Sequence, residues 1–287
     1  MTRVMMVGID GLDADLLRIY GPSLPHLRLL MLESPFLELQ PPYPFQVETA
    51  WASLYNAETF WNIAEQVGKR ACVLVSSFSK GSPMWSMRRT CAELQAYTLQ
   101  QAEQALEFLQ RESWDIFFWQ TDTLHFIQQC LWLYDTPQAV TYPKGNKHIS
   151  RLLSFYHLFD TLIGQLREVI EKESVFVVVS GYGQRWHEPG RPHLSDWLYT
   201  QQMLPIPTKL KQLVRPPSSQ RVTEGVFLVG NLPPDVTIVE GEREPGVLDV
   251  APTVLALLGI SDGEGMEGSR VHGEARVLPI FVSMPVP

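Results

Sequence analysis

Long apolar runs are missing from this chain. No stretch approaches the ~18 consecutive apolar residues that mark a membrane-spanning helix. A basic excess is missing too: 23 Lys and Arg stand against 31 Asp and Glu, a net charge of −8. That balance excludes a general nucleic-acid or anionic-membrane binder, although it leaves room for a local basic pocket around one phosphate. Cysteine is scarce, with only Cys72, Cys91 and Cys130, an odd number without metal-type spacing. The expectation is reduced, buried thiols in a cytoplasmic protein. The opening MTRVMMVGID has no signal-peptide layout and runs straight into a strand pattern. No Gly-x-Gly-x-x-Gly follows that strand, which removes a dinucleotide-binding dehydrogenase. No Gly-x-Ser-x-Gly elbow occurs, which removes the usual Ser–His–Asp hydrolase.

What is present is the material of a packed core: 45% hydrophobic residues against 19% charged ones over 287 residues. Four apolar runs read as buried strands, Val4–Ile9, Ala71–Val75, Asp115–Gln120 and Ser174–Val179. Each is short, rich in β-branched or aromatic residues, and bounded by polar residues or glycine. Helical patterns lie between them at Asp13–Tyr20, Ala50–Asn56, Trp61–Val67, Cys91–Arg111 and His148–Glu173. Leu94, Ala105, Leu106 and Leu109 give the fourth of these an apolar stripe, the mark of a helix lying on a sheet. This alternation predicts an α/β fold with a mostly parallel central sheet covered by helices on both faces. Farther on, Leu204–Ser219 reads as a connecting loop and Gly225–Gly230 as a further strand. Val247–Gly259 reads as a helix with proline in its first turn and a glycine stop, and Val277–Val282 as a last strand. The expected organisation is a single domain over 1–287 with a loop-rich insertion around 184–224.

Open parallel sheets collect ligands in the crevice at the carboxyl ends of their strands. Asp10-Gly11 follows the first strand, Asp122 and His125 the third, and Ser180-Gly181-Tyr182-Gly183 the fourth. Carboxylates and an imidazole converging from separate strand ends are the makings of a divalent-metal site. The same residues also serve as ordinary helix caps and turn formers.

Order and spacing carry a more specific signal. VMMVGIDGLDADLL with SLPHLRLL resembles the opening of the alkaline phosphatase superfamily, in its type I phosphodiesterase/nucleotide pyrophosphatase branch. QVETAWASLYNA is similar to the branch's nucleophile block and sets Thr49 at the nucleophile position. WNIAEQVGKRACVLVSS, DIFFWQTDTLHFIQQCLW, FVVVSGYG, EGVFLVG and VLDVAPTVLALLGI resemble successive blocks of the same branch. The resemblance runs from residue 1 to about residue 275. It implies an alkaline phosphatase-like fold, Asp10, Asp122 and His125 as metal ligands, and two metal ions activating Thr49 for phosphoryl transfer.

The departures from that pattern fall on the ligands. Gly181 and Tyr182 stand where the branch has aspartate and histidine, and Arg221 stands near the place of a late histidine. Glycine offers no side-chain ligand, and a neutral phenol is a poor one for zinc. Asp122 and His125 are three residues apart where four is usual, a spacing that still shares one helix face. Two substitutes lie close by. His187 and His193 stand in the following loop, where Ser195 also suits a helix cap. Arg185, Arg191 and Arg221 carry guanidinium groups that bind phosphate without generating a nucleophile. The expectation is one divalent metal, zinc or manganese, or none. The expected function is that of a degenerate, pseudoenzyme-like member with weak or no metal-dependent hydrolysis. It would keep a binding or assembly role toward a phosphate-ester or nucleotide ligand or a protein partner. The alternative is an active metal-dependent phosphodiesterase or phosphatase that uses Thr49.

Overall fold

The chain is described by a computed structural model covering residues 2–34, 36–41, 59–76, 87–128, 151–186, 220–234, 236–239, 244–260 and 281–283. Thr49, Cys130, His187, Arg191, His193 and Ser195 lie outside the described residues, as do the helix expected at 50–56 and the loop expected at 204–219.

The four expected strands form, each shifted by a residue at most: β1 (Val4–Ile9), β3 (Ala71–Ser76), β4 (Ile116–Thr121) and β5 (Val175–Ser180). A three-residue strand, β2 (Leu37–Leu39), was not expected, while β8 (Gly225–Gly230) was. Together they make one six-stranded sheet in the order β2-β8-β5-β1-β4-β3. The β5-β1-β4-β3 stretch is parallel, with Val4 registered against both Ile116 and Val175. At the far side β8 runs antiparallel to β5, and β2 antiparallel to β8. The mostly parallel sheet therefore carries a reversed edge, the one direction that the apolar runs do not encode.

Strand alternation sorts the side chains into two cores. Met5, Val7, Ile9, Phe117, Trp119, Phe176 and Val178 face one layer, with helices α1 (Ala14–Tyr20), α2 (Pro25–Glu33), α4 (Met87–Arg111) and α6 (Arg151–Val169). Val4, Met6, Phe118, Val177, Val179 and Phe227 face the other, with α3 (Phe60–Gln66) and α7 (Val250–Leu257). Strands buried on both faces are why these runs are apolar throughout rather than alternating. On α4, Leu94, Ala102, Ala105 and Leu109 are buried as the stripe predicts. The helix expected over 148–173 is α6, which ends at Val169. Gly259 closes the last helix with φ +75°, while the Ile260 N–H reaches back to the Leu255 carbonyl at 3.0 Å.

Cys72 and Cys91 are free thiols, half-buried rather than fully enclosed, and burial raises the Cys72 pKa. Among the described residues no helix is long and apolar enough to cross a membrane.

Candidate functional site

The strand ends meet as the crevice argument requires. Asp10 is the first residue past β1 and is buried, its backbone N–H donating to the Thr121 carbonyl at 3.0 Å. Gln120, near the end of β4, donates from its amide to Asp10 Oδ1 at 3.3 Å. Gly11 follows with φ +77°, and a Cβ there would sit 3.4 Å from the His125 Cα and 2.6 Å from Gln128 Oε1. A left-handed backbone and a close neighbour together make glycine the fitting residue at that turn.

His125 lies on α5, a helix over 123–128. Asp122 is the residue before it, half-buried, and its carbonyl accepts the Phe126 N–H at 3.3 Å. Asp122 thus occupies a helix-capping position, and its charge helps to raise the pKa of Tyr97 on α4, where burial is the larger cause. Tyr182 is 1% exposed. Its hydroxyl lies 3.1 Å from His125 Nδ1, with the two rings edge to face at 5.9 Å. Asp10, His125, Gly181 and Tyr182 are all buried at this end of the sheet. Among the described residues, no three His, Cys, Asp or Glu side chains gather into a group able to hold a metal ion.

A web of largely neutral hydrogen bonds ties these strand ends together. Gln128 donates from Nε2 to the Gly11 carbonyl at 2.8 Å and to the Tyr156 hydroxyl at 3.2 Å. Ser180 Oγ accepts from the Leu12 N–H at 3.2 Å and donates to the Tyr182 carbonyl at 2.7 Å. Thr98, Thr121 and Thr123 share a chain of hydroxyls at 2.9 and 3.2 Å. A second buried carboxylate joins the web: Asp13, fully buried, caps α1 through the Leu16 N–H at 2.9 Å and accepts from Thr223 Oγ1 at 2.6 Å. Burial, with the Asp13 charge second, pushes the Tyr156 phenol well above its ordinary pKa, so it stays a neutral hydroxyl.

Sequence reasoning passed over Asp13 as a site residue, although an aspartate opening a helical pattern signals a cap. It also missed Gln120, Gln128, Tyr156 and Thr223, which carry no motif. The loop expected from residue 184 begins instead as a two-stranded ribbon, β6 (Gly183–Trp186) against β7 (Gln220–Thr223). A bridge between Gly11 and Gly183 joins the ribbon to the end of β1. Its register sets Arg185 opposite Arg221, so two of the three candidate arginines occupy facing positions. Gly225 lets β8 approach the turn at Gly181 and Tyr182, since a Cβ there would stand 2.6 Å from the Tyr182 N and 2.8 Å from the Gly181 carbonyl carbon.

No protein-family model matches the chain, and no curated protein matches it. Solved structures do. Phosphonoacetate hydrolase from Sinorhizobium meliloti 1021, in complex with phosphonoformate, is similar at TM-score 0.54 and 11% identity, over 90% of this chain and 96% of that one. The C-terminal periplasmic domain of EptC from Escherichia coli is similar at TM-score 0.50 and 13% identity, over 91% and 83%. Likeness of shape across nine-tenths of the chain, at so low an identity, speaks for architecture alone, and that architecture is the alkaline phosphatase-like fold.

Proposed function

We propose that this protein is a degenerate relative of the type I phosphodiesterases and nucleotide pyrophosphatases. It hydrolyses phosphate esters weakly or not at all, and it binds a phosphate-ester or nucleotide ligand or serves assembly in the cytoplasm. One observation carries the reading: the buried Tyr182 hydroxyl sits against His125 Nδ1 at 3.1 Å. A metal-binding histidine gives one ring nitrogen to the ion and the other to an orienting group. Here a phenol occupies one nitrogen from the position where the branch has a ligand of its own. Gly181 next to it supplies nothing, and Asp10 accepts an amide N–H from Gln120. This donor set does not fit a two-metal centre, whose affinity depends on ligand number and geometry.

Asp10, Asp122, His125 and the candidate nucleophile Thr49 remain as inheritance from the branch. Phosphonoformate bound to the similar hydrolase supports a small phosphonate- or phosphate-type ligand for this end of the sheet. The test is metal content together with turnover. Protein purified without chelator is expected to hold fewer than two zinc or manganese ions. It should cleave bis-p-nitrophenyl phosphate no faster than Thr49→Ala. Two tightly held ions with turnover that depends on Thr49 would establish the active enzyme instead. A gain version sharpens the result: the double variant Gly181→Asp/Tyr182→His should bind zinc more tightly than the parent. Unchanged affinity would show that this turn does not face the ancestral metal position.

A further inference from the structure

Away from the strand-end rim, the helices α4 and α6 leave a groove between them. Leu99, Ala102 and Leu106 on α4, with Leu162 and Val169 on α6, give it an apolar lining around a space of about 450 Å³. Ala102 and Leu162 are buried, while Leu99 and Val169 are each 38% exposed, so the groove is open to solvent. The lining recurs along α4 at Leu99, Ala102, Leu106 and Gln110, a single helix stripe. At the rise of an α-helix that stripe is about 16 Å long, or about three turns.

Its position and its charge narrow what can occupy it. The two helices lead into β4 and β5, which are parallel, so their last turns lie toward the amino ends of the strands. The groove is therefore at the opposite end of the sheet from Asp10 and His125. Gln110 and Val169 fall in those last turns, where the negative ends of two helix dipoles come together. Glu103 lines the groove from α4 and Glu168 from α6, the remaining lining residue is Gln165, and no Lys or Arg is among them. Both glutamates are exposed, and among the described residues neither forms an ion pair. Other glutamates on the same face are committed: Glu107 pairs with Arg111, and Glu33 with Arg167 at 2.5 Å.

We infer that this groove docks a basic amphipathic helix of a partner protein. Its apolar residues would seat over Ala102 and Leu162, and its Lys or Arg side chains would reach Glu103 on one wall and Glu168 on the other. Long basic side chains suit the margins, because their stems cover apolar surface while their heads stay in water. An amphipathic helix laid into an apolar groove is a recurrent mode of recognition, and a three-turn segment matches this length. A second copy of this chain fits badly, since an isologous contact would set four carboxylates and no lining cation in one interface. Nucleic acid and anionic membrane are repelled by the same charges. The inference stands apart from any ligand at the rim, and its failure would leave that reading untouched.

The test uses the full chain and two synthetic peptides of about 14 residues with leucines at helical spacing. One carries Lys and the other Glu at every polar position, and each is titrated by fluorescence anisotropy. The Lys peptide is expected to bind at least about tenfold tighter than the Glu peptide. Glu103→Lys/Glu168→Lys should reverse that preference. Glu65→Lys/Glu112→Lys changes the net charge equally at exposed acids outside the groove and should leave the preference in place. Leu99→Gln/Val169→Gln should weaken the Lys peptide about tenfold, because the apolar seat is lost. Equal or absent binding of the two peptides to the parent overturns the inference. So does a control pair that weakens the Lys peptide as much as the groove pair, since overall charge would then be the attraction. Undiminished binding to Leu99→Gln/Val169→Gln overturns it as well, by showing that the carboxylates act without the groove.

Discussion

The interior of the sheet and its carboxyl-end rim are built from opposite materials. Inside, β1, β4 and β5 are buried along their whole length, and every residue of β1 from Val4 to Ile9 is apolar or glycine. At the rim, a few residues on, Asp10, Gln120, Thr121, His125, Gln128 and Tyr182 are just as buried but polar. The interior depends on volume and tolerates many sequences that keep the pattern. The rim depends on particular hydrogen-bond partners, and losing one leaves another stranded. Rim residues can therefore vary while the sheet persists, as an architecture shared at 11% identity illustrates.

The sharpest way to break this comparison is to damage the interior. Phe118 is fully buried in β4, against both Phe60 and Trp61 at centroid distances of 5.9 Å. Phe118→Ala is expected to cost about 3–5 kcal/mol, the range for truncating a buried aromatic, in a denaturant titration. A loss below about 1 kcal/mol would mean that this core layer is loose and the contrast with the rim unfounded.

Next comes Asp13, a buried carboxylate beside the rim. Asp13→Ala removes the α1 cap and strands the Thr223 hydroxyl, so the two effects together should cost about 2–3 kcal/mol. Thr223→Val in the same background should restore part of that loss, because it removes the stranded group. Strict additivity of the two substitutions would show that Asp13 and Thr223 do not act as a pair.

The same contrast explains what was legible in the sequence. The apolar strands announce themselves, since burial on both faces leaves an unbroken hydrophobic signal. Gly259 and the Pro252 helix were equally plain, because each obeys a backbone rule. The ribbon was not. GQRW and QRVT are far apart along the chain and lack an apolar alternation, so nothing local pairs Arg185 with Arg221. β2 has three residues, too few for a period. At the site, Asp10, His125, Gly181 and Tyr182 could be found by likeness to a motif. Gln128 and Tyr156 could not, since their importance lies in partners made across the fold.

The smallest expected effect is the most discriminating. Tyr182→Phe removes one hydroxyl and leaves the shape of the rim intact. If that hydroxyl only satisfies His125 Nδ1, stability should fall by about 1 kcal/mol, the net worth of a hydrogen bond, and by the same amount with or without chelator. If the phenol instead helps to hold an ion, the loss should appear only where metal is present, because chelator would already have removed the interaction. If it blocks His125 from an ion, the variant should gain zinc affinity, since the phenol no longer competes for Nδ1. Measuring stability and metal binding in one pair of proteins therefore separates a rim that has exchanged its metal for hydrogen bonds from one in which the phenol has joined the ligand set.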